Sequence, residues 1–362
     1  MQKDQYIKLN ISRLKRLPFF AKDYYLSKQA LDFSEATLYQ YLEVLEMFLQ
    51  WLIKSGISNK KEIKNIPLSD LEKITPKDIE IYITDLRHLP KKTIHGFIKN
   101  SNEKVSNKTV IDRIISLRAF FHYLNEETNP ENNKTYLSNN VMEKIHLPKQ
   151  KSETLNYRAD QLRKKMFLGK EKNEFIVWVE NEYPKKLNSH QLAFFKKNKE
   201  RDLAIISLLM ATGIRVSELT NANITDLNLS GHEIQVIRKG NYKDIASIAP
   251  WAIPYLKKYI KIRKKKYQPT TNNKALFISN SRNKTMRISS ISVERMVKKY
   301  SSAFGKPTTP HKFRHGLATE LIQKTGSESL VAAILGQTTT SATKLYTHIT
   351  KNERKNIMEK MN

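Results

Sequence analysis

Two arginines, a lysine, a histidine and a tyrosine stand in four short stretches: Arg215 in ATGIRVSEL, Lys239 in IRKGNYK, His311 and Arg314 in TTPHKFRHGLATEL, and Tyr346 in LGQTTTSATKLYTHI. Each has an ordinary explanation on its own. A lone arginine makes surface ion pairs, lysines at a hairpin tip are solvated, and a tyrosine at helical spacing packs into a core. His311 and His315 have metal-ligand spacing, but no glutamate lies between them as in H-E-x-x-H, and Arg314 repels a cation. A metal site is therefore the weaker alternative. Together, with no acidic cluster for Mg²⁺, the residues supply the parts of metal-free phosphoryl transfer. A tyrosyl oxygen attacks phosphorus, and guanidinium groups hold the non-bridging oxygens. A lysine protonates the leaving oxygen, and a histidine positions or accepts a proton.

Local elements must position these groups. The apolar run RDLAIISLLMA predicts a helix broken at Gly213, which puts Arg215 at the start of the next helical turn. EIQVIRK (233–239) and DIASIAP (244–250), joined by GNYK, read as a hairpin with Lys239 and Lys243 flanking its Gly-Asn turn. Thr309 can cap and Pro310 can start a helix on which His311 and Arg314 are three apart on one face. A further helix ends at Gly336. Gln337 is the polar residue after it, and the helix following the 338–341 loop carries Tyr346.

The 362 residues suggest two domains, each large enough for its own core. The first, 1–150, reads as helical. ATLYQYLEVLEMFLQWLIKSG sets Leu38, Tyr41, Leu42, Leu45, Phe48, Leu49 and Leu52 on one face. ITPKDIEIYITDLRHL adds a helix capped by Thr75 with Pro76 at its first position, and another runs from Ser106 to about Glu126. HLPKQKSE is the candidate linker. The second domain, 151–362, opens with helical YRADQLRKKMFLG and FIVWVENEY and holds most of the strand-like sequence, including a third short strand at ALFIS, 275–279. The expected fold is mainly α with a small antiparallel β-sheet.

With 64 Lys and Arg against 35 Asp and Glu, the net charge of +29 favours a polyanionic partner, nucleic acid above all. KKYIKIRKKK, 257–266, has seven basic residues in ten, either a solvated helix face or a surface that tracks phosphates. The absence of cysteine excludes disulfides, thiolate zinc sites and a cysteine nucleophile. The N-terminal residues have no apolar signal segment, and AIISLLMA is too short to span a bilayer. A cytoplasmic protein with no membrane insertion is expected.

The order Arg, Lys, His-x-x-Arg, Tyr resembles the tyrosine recombinases, the phage integrase family, and most closely its XerS-type branch of single recombinases that resolve chromosomes. Arg215 stands for the first arginine of the family pattern and Lys239, 24 residues on, for the hairpin lysine. His311 and Arg314 supply the H-x-x-R box, and Tyr346 falls where the nucleophile is expected. YYLSKQALDFSEATLYQYL, FLGKE and KNKERDLAII extend the likeness over the whole chain.

The resemblance implies an N-terminal helical core-binding domain and a C-terminal catalytic domain that together clamp double-stranded DNA at an inverted-repeat core site. It implies a 3′-phosphotyrosyl intermediate that needs neither metal nor ATP, and no cofactor. A homotetramer on two DNA sites would exchange strands in pairs, its tail TKNERKNIMEKMN forming a helix that docks on a neighbouring protomer. Work on chromosome dimers at a terminus-region site, with a septal DNA translocase, would follow. The chain departs from the pattern twice. Gln337 stands where LGH has histidine, a neutral donor expected to retain activity at a cost of about 1–3 kcal/mol, roughly ten- to a hundredfold in rate. Gly316 stands where threonine or serine is usual, expected to loosen its helix slightly. The alternatives are an integrase or excisionase of a mobile element, a catalytically weakened DNA-binding relative, and a metal nuclease.

Overall fold

The structure is a computed structural model that describes residues 3–90, 103–129, 133–147, 153–238, 240–281 and 284–337. It divides into two compact units, residues 1–152 and 153–362.

The first unit is helical, with α1 (Lys3–Leu14), α2 (Phe19–Ala30), α3 (Glu35–Lys54), α4 (Leu68–Glu72), α5 (Pro76–His88) and α6 (Asn107–Glu126). Helix α3 starts where the Ser34 hydroxyl accepts from the Thr37 N–H, one of the amides that a helix start leaves without a partner. Its predicted stripe faces inward: Leu38, Leu42, Leu45, Phe48, Leu49 and Leu52 are buried, and Tyr41 packs at the edge of the same core. Phe48 meets the rings of Trp51, Tyr82 and Phe121, so α3, α5 and α6 share one aromatic centre. Truncating Phe48 to alanine there costs about 3–5 kcal/mol. Thr75 caps α5 in a reciprocal box: its hydroxyl accepts from the Asp78 N–H, and the Asp78 carboxylate accepts from the Thr75 N–H.

The second unit contains α7 (Leu155–Arg163), α8 (Lys170–Asn181), α9 (Ser189–Thr212) and α10 (Val216–Asn221), then β1 (Leu227–Asn228), β2 (Glu233–Ile237), β3 (Lys243–Ser247) and α11 (Ile253–Tyr267). It continues through β4 (Ile278–Ser281), β5 (Lys284–Arg287), α12 (Ser290–Phe304), α13 (Pro310–Thr325) and α14 (Glu328–Ile334). From Leu203 to Thr212 every residue of α9 is buried, because α8, α11, α12 and α13 all pack against it. A helical segment with no polar face belongs in such a position. A smaller cluster joins Leu162 and Met166 to Ala318 and Ile322 of α13 and to Val331 and Leu335 at α14, fixing where α14 ends.

The predicted hairpin forms. β2 and β3 pair antiparallel, Ile234 opposite Ala246 and Val236 opposite Asp244, with β1 on the outer side of β2. Ile234, Val236 and Ala246 point inward while Gln235, Ile237 and Ile245 are exposed. The two-residue period carries Arg238 to the buried face.

Several boundaries differ from the sequence expectation. Helix α7 stops at Arg163, short of the predicted Gly169, and the segment beyond turns in to bury Met166 and Phe167. The strand expected at 275–279 begins only at Ile278 and pairs with β5 in a separate two-stranded sheet. Ala275, Leu276 and Phe277 are apolar because they fill the core, while the polar residues that follow make the ladder. In the basic run on α11, Arg263 turns inward and donates to the carbonyls of Asn273, Ala275 and Leu276. Lys257, Lys258, Lys261, Lys264 and Lys265 are exposed.

Candidate active site

Helix α9 ends at Gly213 in the left-handed conformation, with φ +63°. The left-handed backbone favours glycine, and a Cβ there would lie 2.7 Å from Leu335 Cδ2 and 3.0 Å from Leu317 Cδ2, pushing the tips of those side chains aside. Two residues on, Arg215 opens α10. Its N–H donates to Glu218 Oε2 at 2.7 Å and its Nη1 to Glu218 Oε1 at 2.6 Å. The Arg215 side chain is about one-third exposed, whereas Glu218 is buried. The carboxylate thus holds a partly exposed guanidinium from beneath.

Glu218 has a second cation. Arg238 Nη1 donates to its Oε2 at 2.9 Å, and Arg238 Nε donates to Asp244 Oδ2 at 2.8 Å. The Arg238 main chain also closes the hairpin: its N–H donates to the Tyr242 carbonyl and its carbonyl accepts from the Asn241 N–H. Gly240 and Asn241 both have positive φ, as a tight hairpin turn requires. Lys239, at this tip, lies outside the described residues; Lys243 is exposed at the start of β3.

Pro310 occupies the first position of α13 and Thr309 the cap position, although the Thr309 side chain makes no capping bond. Arg314 is buried and reaches two helix ends: Nη1 donates to the Gly213 carbonyl at 2.7 Å and Nη2 to the Leu335 carbonyl at 2.8 Å. The stretches containing Arg215, Arg314 and Gln337 therefore meet at one guanidinium. His311 lies at the surface one turn before His315, their rings edge to face at 4.4 Å. Desolvation, with Arg314, Lys312 and Arg215 nearby, lowers the His311 pKa. Desolvation pushes His315 down to about 3, helped by His311, Lys312 and Arg314, so its imidazole is neutral at physiological pH. Among the described residues, no group of three or more His, Asp or Glu could hold a metal ion.

Gly336 ends α14 with φ +61°, its N–H on the Ala333 carbonyl and the Gln337 N–H on the Ala332 carbonyl. The Gln337 Oε1 atom is buried with no hydrogen-bond partner. Tyr346 and the expected tail helix lie outside the described residues.

Two residues of this buried network escaped the sequence reading. Glu218 could have been found from its place three residues after Arg215 on a helix start. The signal for Arg238 was the strand alternation, which puts a cation on a buried face and so demands an acid there. Gly316, expected only to loosen its helix, also has a packing role. A Cβ there would stand 2.9 Å from the Phe167 carbonyl oxygen, so the glycine lets α13 press against that loop.

The phage integrase family profile matches residues 178–353. The chain is 43% identical to a tyrosine recombinase XerS of Streptococcus gordonii, with 97% of this chain and 98% of the relative covered. It is 42% identical to a tyrosine recombinase XerS of Streptococcus sanguinis over the same shares. Among solved structures it is similar to XerH site-specific recombinase bound to palindromic difH substrate, with a TM-score of 0.64 and 19% identity, covering 99% of this chain and 89% of that one. It is similar also to a lambda integrase (75–356) dimer bound to a COC′ core site, with a TM-score of 0.55 and 16% identity, covering 92% and 95%. At those identities the two structures speak for the fold.

Proposed function

The chain belongs to the tyrosine recombinases of the phage integrase family and is XerS-like along its length; on that premise we propose that Arg215, Lys239, His311, Arg314, Gln337 and Tyr346 form one active site. The chain is a site-specific DNA recombinase. The single observation that carries the site assignment is the Arg314 guanidinium, bonded at once to the carbonyl of Gly213, two residues from Arg215, and to that of Leu335, two residues from Gln337.

The proposed cycle starts with a scissile phosphate held by Arg215 and Arg314, with the Gln337 amide as a further hydrogen-bond donor and His311 as a donor or proton carrier. Tyr346 Oη attacks phosphorus, the P–O5′ bond breaks, and a 3′-phosphotyrosyl bond forms. The tyrosyl proton passes to His311, whose pKa desolvation and the surrounding cations lower, and Lys239 protonates the departing 5′ oxygen. A 5′ hydroxyl from the partner strand then attacks the phosphotyrosine, and ligation restores Tyr346. The ester energy stays in the covalent bond, so neither ATP nor metal enters.

The DNA partner fits the net charge of +29 and the exposed lysines of α11. Units 1–152 and 153–362 correspond in this proposal to a core-binding domain and a catalytic domain. We assign to the chain double-stranded DNA with an inverted-repeat core, a homotetramer across two such sites, and resolution of chromosome dimers near the replication terminus, in the cytoplasm with a septal DNA translocase. No helix among the described residues is long and apolar enough to cross a membrane. Covalent capture on a nicked suicide DNA tests the chemistry. Mapping the bound genomic site tests the role: a site beside the terminus supports it, and a site bordering a mobile element overturns it.

A further inference from the structure

We propose that Arg238 is a positioning residue of this active site. It holds the Arg215 guanidinium through Glu218, seats the Gly336–Gln337 turn, and sets which end of the Gln337 amide faces the phosphate. The inference rests on the assignment of Arg215, Gln337 and Tyr346 to one site.

Arg238 is 3% exposed, yet its side chain joins parts of the fold that are remote in sequence. Through Nη1 it bonds Glu218, whose other oxygen holds Arg215, and through Nε it bonds Asp244 on the opposite strand. Its third contact is the turn after α14. The position a Cβ would take on Gly336 is 2.5 Å from Arg238 Nε, 2.6 Å from Cζ and 2.8 Å from Nη2. The guanidinium therefore lies directly against the Gly336 backbone, where any side chain would displace it. The chain leaves this seat through Gln337 towards Tyr346, nine residues on.

Stability is a weak reason for such a network, because a buried ion set is often no better for folding than apolar side chains of the same volume. Its distinctive effect is geometric. The fork of Arg238 has fixed directions, so α10, the hairpin and the turn are held at fixed spacing.

Two buried atoms extend the argument. Arg238 Nη2 has no hydrogen-bond partner, and neither does Gln337 Oε1, one residue beyond the glycine that Nη2 lies against. One is a donor and the other an acceptor. A bond from Nη2 to Oε1, which a small shift of either side chain would have to make, would satisfy both and leave the Gln337 Nε2–H₂ as the outward end, a donor for a phosphate oxygen. Without Arg238 the amide has no reason to prefer that orientation.

The test measures single-turnover adduct formation on a suicide DNA at saturating protein, with DNA affinity and melting temperature recorded on the same preparations. Arg238→Lys keeps a charge but loses the fork. It is expected to slow adduct formation about ten- to a hundredfold while affinity stays within about twofold. The Gln337→Ala penalty should shrink in the Arg238→Lys background, since the two residues act as one unit. Gly336→Ala, whose methyl group would push on the guanidinium, should reproduce the slow phenotype, and it carries the test if Arg238→Lys does not fold. Wild-type rates in Arg238→Lys overturn the proposal. So do effects of Arg238→Lys and Gln337→Ala that simply multiply, or a parallel fall of rate, affinity and melting temperature, which marks a framework role alone. A wild-type protein that makes no adduct overturns instead the recombinase assignment on which the proposal rests.

Discussion

Arg314 Nη1 donates to the carbonyl oxygen of Gly213 at 2.7 Å across 101 positions of sequence. The bond ties the end of the central helix to the H-x-x-R helix, and the same guanidinium holds Leu335. Arg314 is thus oriented before any substrate arrives, which is what its proposed role of stabilising developing charge requires.

That junction depends on Gly213. Gly213→Ala places a methyl group 2.7 Å from Leu335 Cδ2 in a left-handed backbone. We expect a loss of about 2–4 kcal/mol from strain and overlap combined, read as a drop in urea midpoint. Adduct formation should fall further than stability alone dictates, because the Gly213 carbonyl moves with the chain.

Gly316→Ala should also destabilise, by about 1–3 kcal/mol, since its Cβ meets the Phe167 carbonyl at 2.9 Å and backbone must yield. A helix interior otherwise gains up to about 1 kcal/mol from glycine to alanine. The melting temperature decides between the two: a decrease means close packing governs this position, and an increase means helix propensity does.

Glu218→Gln leaves Arg238 buried beside a neutral amide and loosens Arg215 at once. Breaking a buried ion pair by removing one partner costs about 3–5 kcal/mol; Asp244 still pairs with Arg238, so this variant should lose less than that and still unfold at clearly lower denaturant. Arg215→Ala, which removes a partly exposed group, should reduce stability far less and adduct formation far more.

Both histidines of α13 bind protons less readily in the folded chain than in the unfolded chain, where histidine titrates near 6.5. As pH falls below that value the unfolded state takes up more protons. Their contribution to stability is therefore complete above about pH 6.5 and declines as pH falls through the folded values, to about 3 for His315. NMR titration should show His311 titrating below 6.5 and His315 unchanged between about pH 5 and 8. A His315 resonance that titrates near neutrality contradicts the burial argument. His315→Gln should flatten part of the acid loss of stability.

Much of this architecture was legible in the sequence because it follows local rules. Ser34 and Thr75 mark helix starts, the three-and-four spacing from Leu38 to Leu52 marks a buried face, and Gly240-Asn241 marks a hairpin turn. The family was legible from the motifs as a set, through residue types and order. What escaped depended on contacts distant in sequence. Nothing near Arg238 announces that Glu218, 20 residues earlier, and Gly336, almost a hundred residues later, converge on it. ALFIS looked like a strand because apolar runs in strands and in core-filling loops are alike, and only pairing partners separate them. Gly316 was weighed as a helix residue, while its role is set by the Phe167 carbonyl on another segment.

The central claim is that Tyr346 is the nucleophile of a metal-independent strand transfer at phosphates gripped by Arg215 and Arg314. Incubation with a nicked suicide duplex containing the bound site, in the presence of EDTA, tests it most directly. The account predicts a covalent protein–DNA adduct through the 3′ phosphate, formed equally well with or without chelator and absent in Tyr346→Phe, which still binds the DNA. DNA binding without any adduct, an adduct that survives in Tyr346→Phe, or cleavage abolished by EDTA would contradict it.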